Sequence, residues 1–163
     1  MYEKARLKAG DGAKLLYLAK YLERAGRPHE KGEKIALIYG VGAVQRGTGG
    51  FSPVSGTAMG SDTVAAAFRA AREDADVKAI VFRVDSPGGS YVASDTIWRE
   101  TQLARKAGKP VVVTMGNLAG SGGYFVAMGA DKIVAQPGTI TASIGVLGGK
   151  LLTTGCWDKI GIT

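Results

Sequence analysis

The period of hydrophobic and polar positions changes repeatedly between residues 34 and 136. Four runs rich in Val and Ile read as buried strands: "KIALIYGVGAV" (34–44), "VKAIVFRVD" (77–85), "KPVVVTMG" (109–116) and "DKIVAQ" (131–136). Helical spacing separates them. "SDTVAAAFRAARED" (61–74) opens on Ser61 and Asp62, both N-cap candidates, and "SDTIWRETQLARKAG" (94–108) is closed by Gly108. "GGYFVAMGA" (122–130) predicts a short third helix, and "RGTGGFSPVSGTAMG" (46–60) a glycine-rich loop of the kind that is often mobile. Strands apolar on both faces and separated by helices imply an α/β fold, its sheet mainly parallel with right-handed βαβ crossovers.

Ahead of these elements, "KLLYLAKYLERAGRPHEKGEK" (14–34) carries a short apolar stripe of Leu15, Leu16, Leu18 and Leu22, broken by Pro28 and Gly32. Residues 1–33 therefore read as a helical lead-in or interdomain connector, and residues 34–163 as the domain proper. A length of 163 residues suits one well-cored domain. The polar start and the ending "DKIGIT", with no closing element, lead to the expectation of a piece of a longer protein.

Composition sharpens this picture at two points. Twenty-five glycines without a collagen period call for many tight turns and close backbone approaches. A net charge of +7 raises the question of nucleic acid, but more than half of the basic residues fall within 1–34 and 99–109, and the rest are interleaved with acids. Aromatic and basic residues do not alternate as a single-strand platform requires, so a nucleic-acid partner is not expected. Cys156 is the single cysteine and cannot form an internal disulfide, which leaves the compartment open. No stretch has the roughly 18 to 20 apolar residues that span a bilayer.

Candidate chemistry begins at "NLAGSGGYF" (117–125), where Ser121 follows a strand and opens a helix. That is where parallel α/β sheets place their sites, with free N–H groups and the helix dipole available to negative charge. Gly120, Gly122 and Gly123 would let a substrate carbonyl reach the hydroxyl. A lone serine there serves equally as a helix cap. "DSPGGS" (85–90) alters the balance, because it follows the neighbouring strand and should lie at the same end of the sheet. Pro87 sets a turn, and Gly88 and Gly89 expose N–H groups. Together the two loops offer a nucleophile and donors for an oxyanion.

A base is harder to find. His29, the only histidine, lies in the lead-in beside Pro28, and reads as a solvated linker residue. A desolvated lysine can serve instead, yet Lys109, Lys132 and Lys150 each flank a strand or loop where exposure is the rule.

"SPGG", "GSGGY" and "TASIGV", in this order over residues 86–146, resemble the signal peptide peptidase A (protease IV) family of serine peptidases, peptidase family S49. The resemblance spans about residues 34–163 and implies the Clp protease/crotonase-like fold, an α/β fold of ββα and βαβ units. It implies Ser121 as nucleophile, Ser143 as the serine that orients the catalytic lysine, and the N–H groups of Gly122 and of Gly89, in preference to Gly88, as the oxyanion hole. Leu118, Tyr124 and Val146 are candidates to line substrate pockets, or else belong to the core.

In single-domain members the lysine follows the serine by some fifty residues, beyond Thr163. In the long tandem members it comes from the N-terminal half and the serine from the C-terminal half. "YLERAGRPHEKGEKIALIYGVGAV" resembles the connector into that second half, so a Ser/Lys dyad completed by a lysine outside this chain is expected, with the isolated fragment inactive. The implied substrates are apolar peptides, notably cleaved signal peptides. The implied setting is a homo-oligomer, tetrameric in the tandem form, at the bacterial inner membrane and facing the periplasm; no cofactor and no metal are implied. Two other readings stay open: a crotonase-type acyl-CoA enzyme, and an inert peptide-binding or scaffold fragment.

Overall fold

In the computed structural model, residues 32–161 apart from Ser55 and Leu147 are described. The expected lead-in helix and His29 lie outside them. The chain runs through β1 (Lys34–Val41), β2 (Ala43–Gln45), β3 (Gly50–Ser52), β4 (Gly56–Gly60), α1 (Ser61–Glu73), β5 (Val77–Ser86), α2 (Tyr91–Lys106), β6 (Val111–Ala119), α3 (Gly122–Phe125), β7 (Lys132–Val134) and α4 (Thr154–Lys159).

Parallel pairing brings the Val- and Ile-rich runs together in the order β1-β5-β6-β7. Leu37, Val81, Val112 and Lys132 form one row across this sheet, and Tyr39, Arg83, Thr114 and Val134 the next that points the same way. Alternate residues point to the other face, where Ile38, Ile80, Phe82, Val84, Val111, Val113 and Met115 are buried. α1 and α2 cover that face with Val64, Phe68, Ala71, Ala93, Ile97 and Ala104. Phe68 meets Phe82 edge to face at 5.1 Å. Each such fully buried large side chain contributes roughly 1.5–3 kcal/mol. The β1 side chains of the opposite face, Ile35, Leu37 and Tyr39, stay more than half exposed.

The run 34–44 is two strands rather than one. Gly42, at φ +86°, turns the chain, and a Cβ there would lie 1.8 Å from Thr57 O. β2 thereby leaves the first sheet and pairs with β4, parallel, which in turn pairs with β3, antiparallel. The expected loop 46–60 is therefore largely this small second sheet. Its glycines serve close approach: a Cβ on Gly60 would fall 1.9 Å from Gly49 N.

The N-terminus of α1 also differs from expectation. Gly60 occupies the cap position with no side-chain bond, while Ser61 is the first helical residue and donates to Asp62 Oδ1 at 3.2 Å. α2 starts three residues earlier than its apolar period indicates, because the Ser90 side chain accepts the Ala93 N–H and caps it. At the far end Gly108 takes φ +80°, a conformation glycine adopts without Cβ strain.

α1 is tied to α2 by Glu100, which is buried and accepts from Arg69 and Arg72, each at 2.8 Å. Replacing Glu100 with alanine leaves two guanidinium groups without their acceptor. Because both arginines keep partial access to water, the expected loss is about 2 kcal/mol of unfolding free energy, read from urea denaturation. Asp131 holds the start of β6: its carboxylate accepts the Val111 N–H and pairs with Arg105, each at 2.8 Å. The Val111 N–H first and the guanidinium second hold this carboxyl below the usual 3.8. A depressed value means stability present above that pH and lost as pH falls below it. Asp131→Asn is accordingly expected to flatten the acid limb of a plot of melting temperature against pH.

Candidate active site

β5 and β6 end side by side, and the turns that leave these two strands build the site. Between Val84 and Ser86 the partner on β6 jumps from Met115 to Ala119. The bulge this creates is held by Asp85, whose carboxylate accepts the Leu118 N–H at 3.1 Å and a longer bond from Asn117 at 3.4 Å. Gly116 lies so close to this carboxylate that a Cβ would fall 2.5 Å from it. The bulge delivers Gly120, whose N–H donates to Ser86 O at 3.0 Å. The chain then turns sharply at Ser121.

Ser121 has φ +46° and ψ −119°, a conformation rare for a residue with a side chain. Such strain costs on the order of 1–3 kcal/mol and persists only where neighbours impose it. Here the Ser121 N–H donates to Ala142 O, and its carbonyl accepts from the Tyr124 and Phe125 N–H groups, each at 3.0 Å. The hydroxyl is not a helix cap. It donates to Gly145 O at 3.1 Å and is half-buried at the rim of a pocket. α3 is only four residues long, so a helix dipole of the expected size is absent, and individual N–H groups carry the electrostatics.

Two of those N–H groups stand out. The Gly88 N–H is taken by Ser86 Oγ at 3.1 Å, and Gly88 O accepts from Val44 N at 2.8 Å. Carbonyl and N–H of one trans peptide point in opposite directions, so anchoring Gly88 O to β2 aims the Gly89 N–H away from β2. On that side lies Gly122: a Cβ built there would be 3.3 Å from Gly89 N. Neither the Gly89 nor the Gly122 N–H donates to any group among the described residues. Both border the pocket that Ser121 enters. Unpaired N–H donors bordering a pocket beside a hydroxyl are groups that could receive an oxyanion.

The pocket holds about 270 Å³, and its apolar wall comes from Tyr91, Phe125, Met128, Ile144 and Val146. Tyr91 stacks edge to face on Phe125 at 5.4 Å. Of the sequence candidates, Val146 lines this pocket; Leu118, which bridges Ile140, and Tyr124, which packs against the core, lie outside its lining. Tyr91, Phe125, Met128 and Ile144 escaped the sequence reading, although each is within four residues of a position singled out there. Apolar side chains beside glycine turns were the available signal.

Ser143 lies exposed at φ +51°, between Ala142 and Gly145, whose carbonyls both bond Ser121. Of the candidate lysines, Lys109 donates to Ala71 O and Asp74 O at the end of α1, and Lys132 and Lys150 are exposed. Among the described residues no lysine lines the pocket or hydrogen-bonds Ser121. Among the described residues no three His, Cys, Asp or Glu side chains come together as metal ligands would.

The sequence pattern of peptidase family S49 matches residues 103–163. The chain is 50% identical over 121 residues to Protease 4 of Salmonella typhi, a match covering 74% of this chain and 19% of that protein. It is 40% identical over 129 residues to the chloroplastic serine protease SPPA of Arabidopsis thaliana, covering 79% and 19%. The chain thus spans about a fifth of these relatives' length. Among solved structures, a membrane-bound stomatin-specific protease aligns with a TM-score of 0.52 and 20% identity, over 72% of this chain and 51% of that one. The two share an α/β fold.

The contact between the two glycine turns is open to test. Gly88 has φ +97°, and a Cβ on it would lie 2.6 Å from Gly122 N and 2.7 Å from Ser121 Cβ. Gly88→Ala is expected to cost more than about 2 kcal/mol of stability and to displace the Ser121 loop, observable by denaturation and by amide chemical shifts of Gly120 to Gly123.

Proposed function

Because the chain belongs to peptidase family S49, we propose that it carries the nucleophile of a serine endopeptidase of the signal peptide peptidase A type. The observation that carries this reading is the strained Ser121 hydroxyl set beside two unpaired N–H groups at an apolar pocket. Ser121 Oγ attacks the scissile carbonyl and passes its proton to a lysine amine. The carbonyl oxygen, now negative, is received by the Gly89 and Gly122 N–H groups. Collapse expels the amine with that proton and leaves an ester on Ser121, which water then hydrolyses.

In this reading the lysine belongs to the N-terminal half of the same longer protein, and the Ser143 hydroxyl orients it by a hydrogen bond. The lysines of the described residues support this, being bonded elsewhere or away from the pocket. Aromatic and aliphatic walls favour apolar peptides, cleaved signal peptides among them. The proposed setting is a homo-oligomer, a tetramer in the tandem form, held at the bacterial inner membrane with its sites toward the periplasm. No helix among the described residues is long and apolar enough to cross a membrane, so any anchor would lie in other parts of the protein.

The decisive assay is hydrolysis of a fluorogenic apolar peptide by the 163-residue chain, alone and with the N-terminal half added. Turnover is expected only with both, and Ser121→Ala should then reduce it by more than about a thousandfold. Turnover by the chain alone that Ser121→Ala abolishes would instead assign the base to a lysine within this chain. No turnover under either condition would favour an inert peptide-binding fragment, a reading consistent with the Ser121 hydroxyl resting on Gly145 O.

A further inference from the structure

Ser86 stands outside the proposed chemistry, yet it touches the corner between β1 and β2, the turn after β5 and the turn after β6. It is the last residue of β5 and is fully buried. A serine hydroxyl has one proton to give and two lone pairs to receive. Ser86 Oγ gives its proton to Gly42 O at 2.7 Å and receives the Gly88 N–H at 3.1 Å. Its own carbonyl receives the Gly120 N–H at 3.0 Å. A Cβ on Gly123 would lie 2.6 Å from Ser86 O, so the turn after the nucleophile packs directly on this residue.

The three contacts divide the work. The bond to Gly42 fixes the corner where β1 becomes β2, the strand whose Val44 N–H anchors Gly88 O. The bond from Gly88 turns that N–H into the protein interior. Ser86 thus holds the Pro87–Gly88 plane directly, and the Gly88–Gly89 plane, which carries the Gly89 N–H, through the corner that places Val44 N–H on Gly88 O. The bond from Gly120 places the nucleophile turn opposite.

We propose that Ser86 is a positioning residue for the oxyanion hole: its buried hydroxyl orients the Gly88–Gly89 peptide so that the Gly89 N–H, paired with that of Gly122, faces the pocket. This inference rests on the reading of Ser121 as nucleophile. Removing the hydroxyl leaves Gly88 N–H and Gly42 O without their partner, and a water or a rotated peptide is expected to replace it. The Gly89 N–H then no longer holds its aim, and groups that need the hole lose affinity, while the remaining contacts keep the chain folded.

A peptide boronate with an apolar side chain next to boron provides the test: the serine oxygen adds to boron, its proton is released to the buffer, and the boron becomes tetrahedral and negatively charged with no leaving amine to be protonated. Binding to the full 163-residue chain is titrated and adduct formation followed by boron-11 NMR, for wild type, Ser121→Ala, Ser86→Ala and Ser86→Cys. Wild type is expected to form the adduct and Ser121→Ala to abolish it. Ser86→Ala should weaken it about tenfold or more, and Ser86→Cys, with a weaker donor and acceptor of similar shape, at least about threefold. Amide exchange of β5 and β6 is compared in the same samples. A merely structural role for Ser86 would lower stability and leave the adduct affinity of the folded chain unchanged. Equal affinity in folded Ser86→Ala and wild type would overturn the proposal; if that variant does not fold, equal affinity in Ser86→Cys would do so. A wild-type chain that forms no adduct would overturn the nucleophile reading itself, and this inference with it.

Discussion

Backbone lies against backbone where the turn after β5 meets the turn after β6, and the site depends on that contact. Gly88 faces Gly120, Ser121 and Gly122 with no space for a Cβ, and Gly89 faces Val44 in the same way. A Cβ on Gly88 or Gly89 would overlap that backbone and force the turns apart. Glycine at φ +97° and +151° removes both the steric and the conformational obstacle. Its cost in chain entropy is offset by the dense hydrogen bonding of the seam, in which Ser86 and Val44 each serve two segments.

From that contact the electrostatics follow. Gly122 is buried and Gly89 exposed, yet the N–H of each is unpaired among the described residues and borders the same apolar pocket, where it is open to an acceptor from outside. The Ser121 backbone departs from the norm as well, in a conformation that L side chains rarely adopt. Strain and unsatisfied donors are stored at the same place, and the rest of the sheet is conventional: a parallel ladder, a Phe-centred core and two covering helices.

The small second sheet has a part in this that its size conceals. β2 is three residues long, yet Val44 both donates to Gly88 and accepts from Ser90. It therefore clamps the Gly88–Gly89 turn through Gly88 O, while Ser86 holds the Gly88 N–H. The segment 142–145 closes the other flank, bonding the Ser121 N–H through Ala142 and its hydroxyl through Gly145. The serine is thus held between its own strand, its neighbour's turn and a later stretch of chain.

Hydrophobic period and turn residues were enough to identify the strands around Ile38, Phe82 and Val113, both long helices and the two glycine motifs, because each is a local property of a few adjacent residues. The position of Ser121 between a strand and a helix was legible for the same reason, whereas singling out Gly122 and Gly89 rested on the family resemblance. The split at Gly42, the second sheet within 46–60 and the cap at Ser90 were not, since each depends on which distant backbone comes near: Thr57 for Gly42, Gly49 for Gly60. The pocket wall shows the same limit. Leu118 and Tyr124 were singled out along the chain and Phe125 and Met128 were not, because which of them border the pocket depends on the bulge in β6 and the single turn of α3. Local sequence determines the periodicity and the permitted backbone angles, whereas the direction of an N–H group or a side chain is set by partners tens of residues away, known only once the chain has folded.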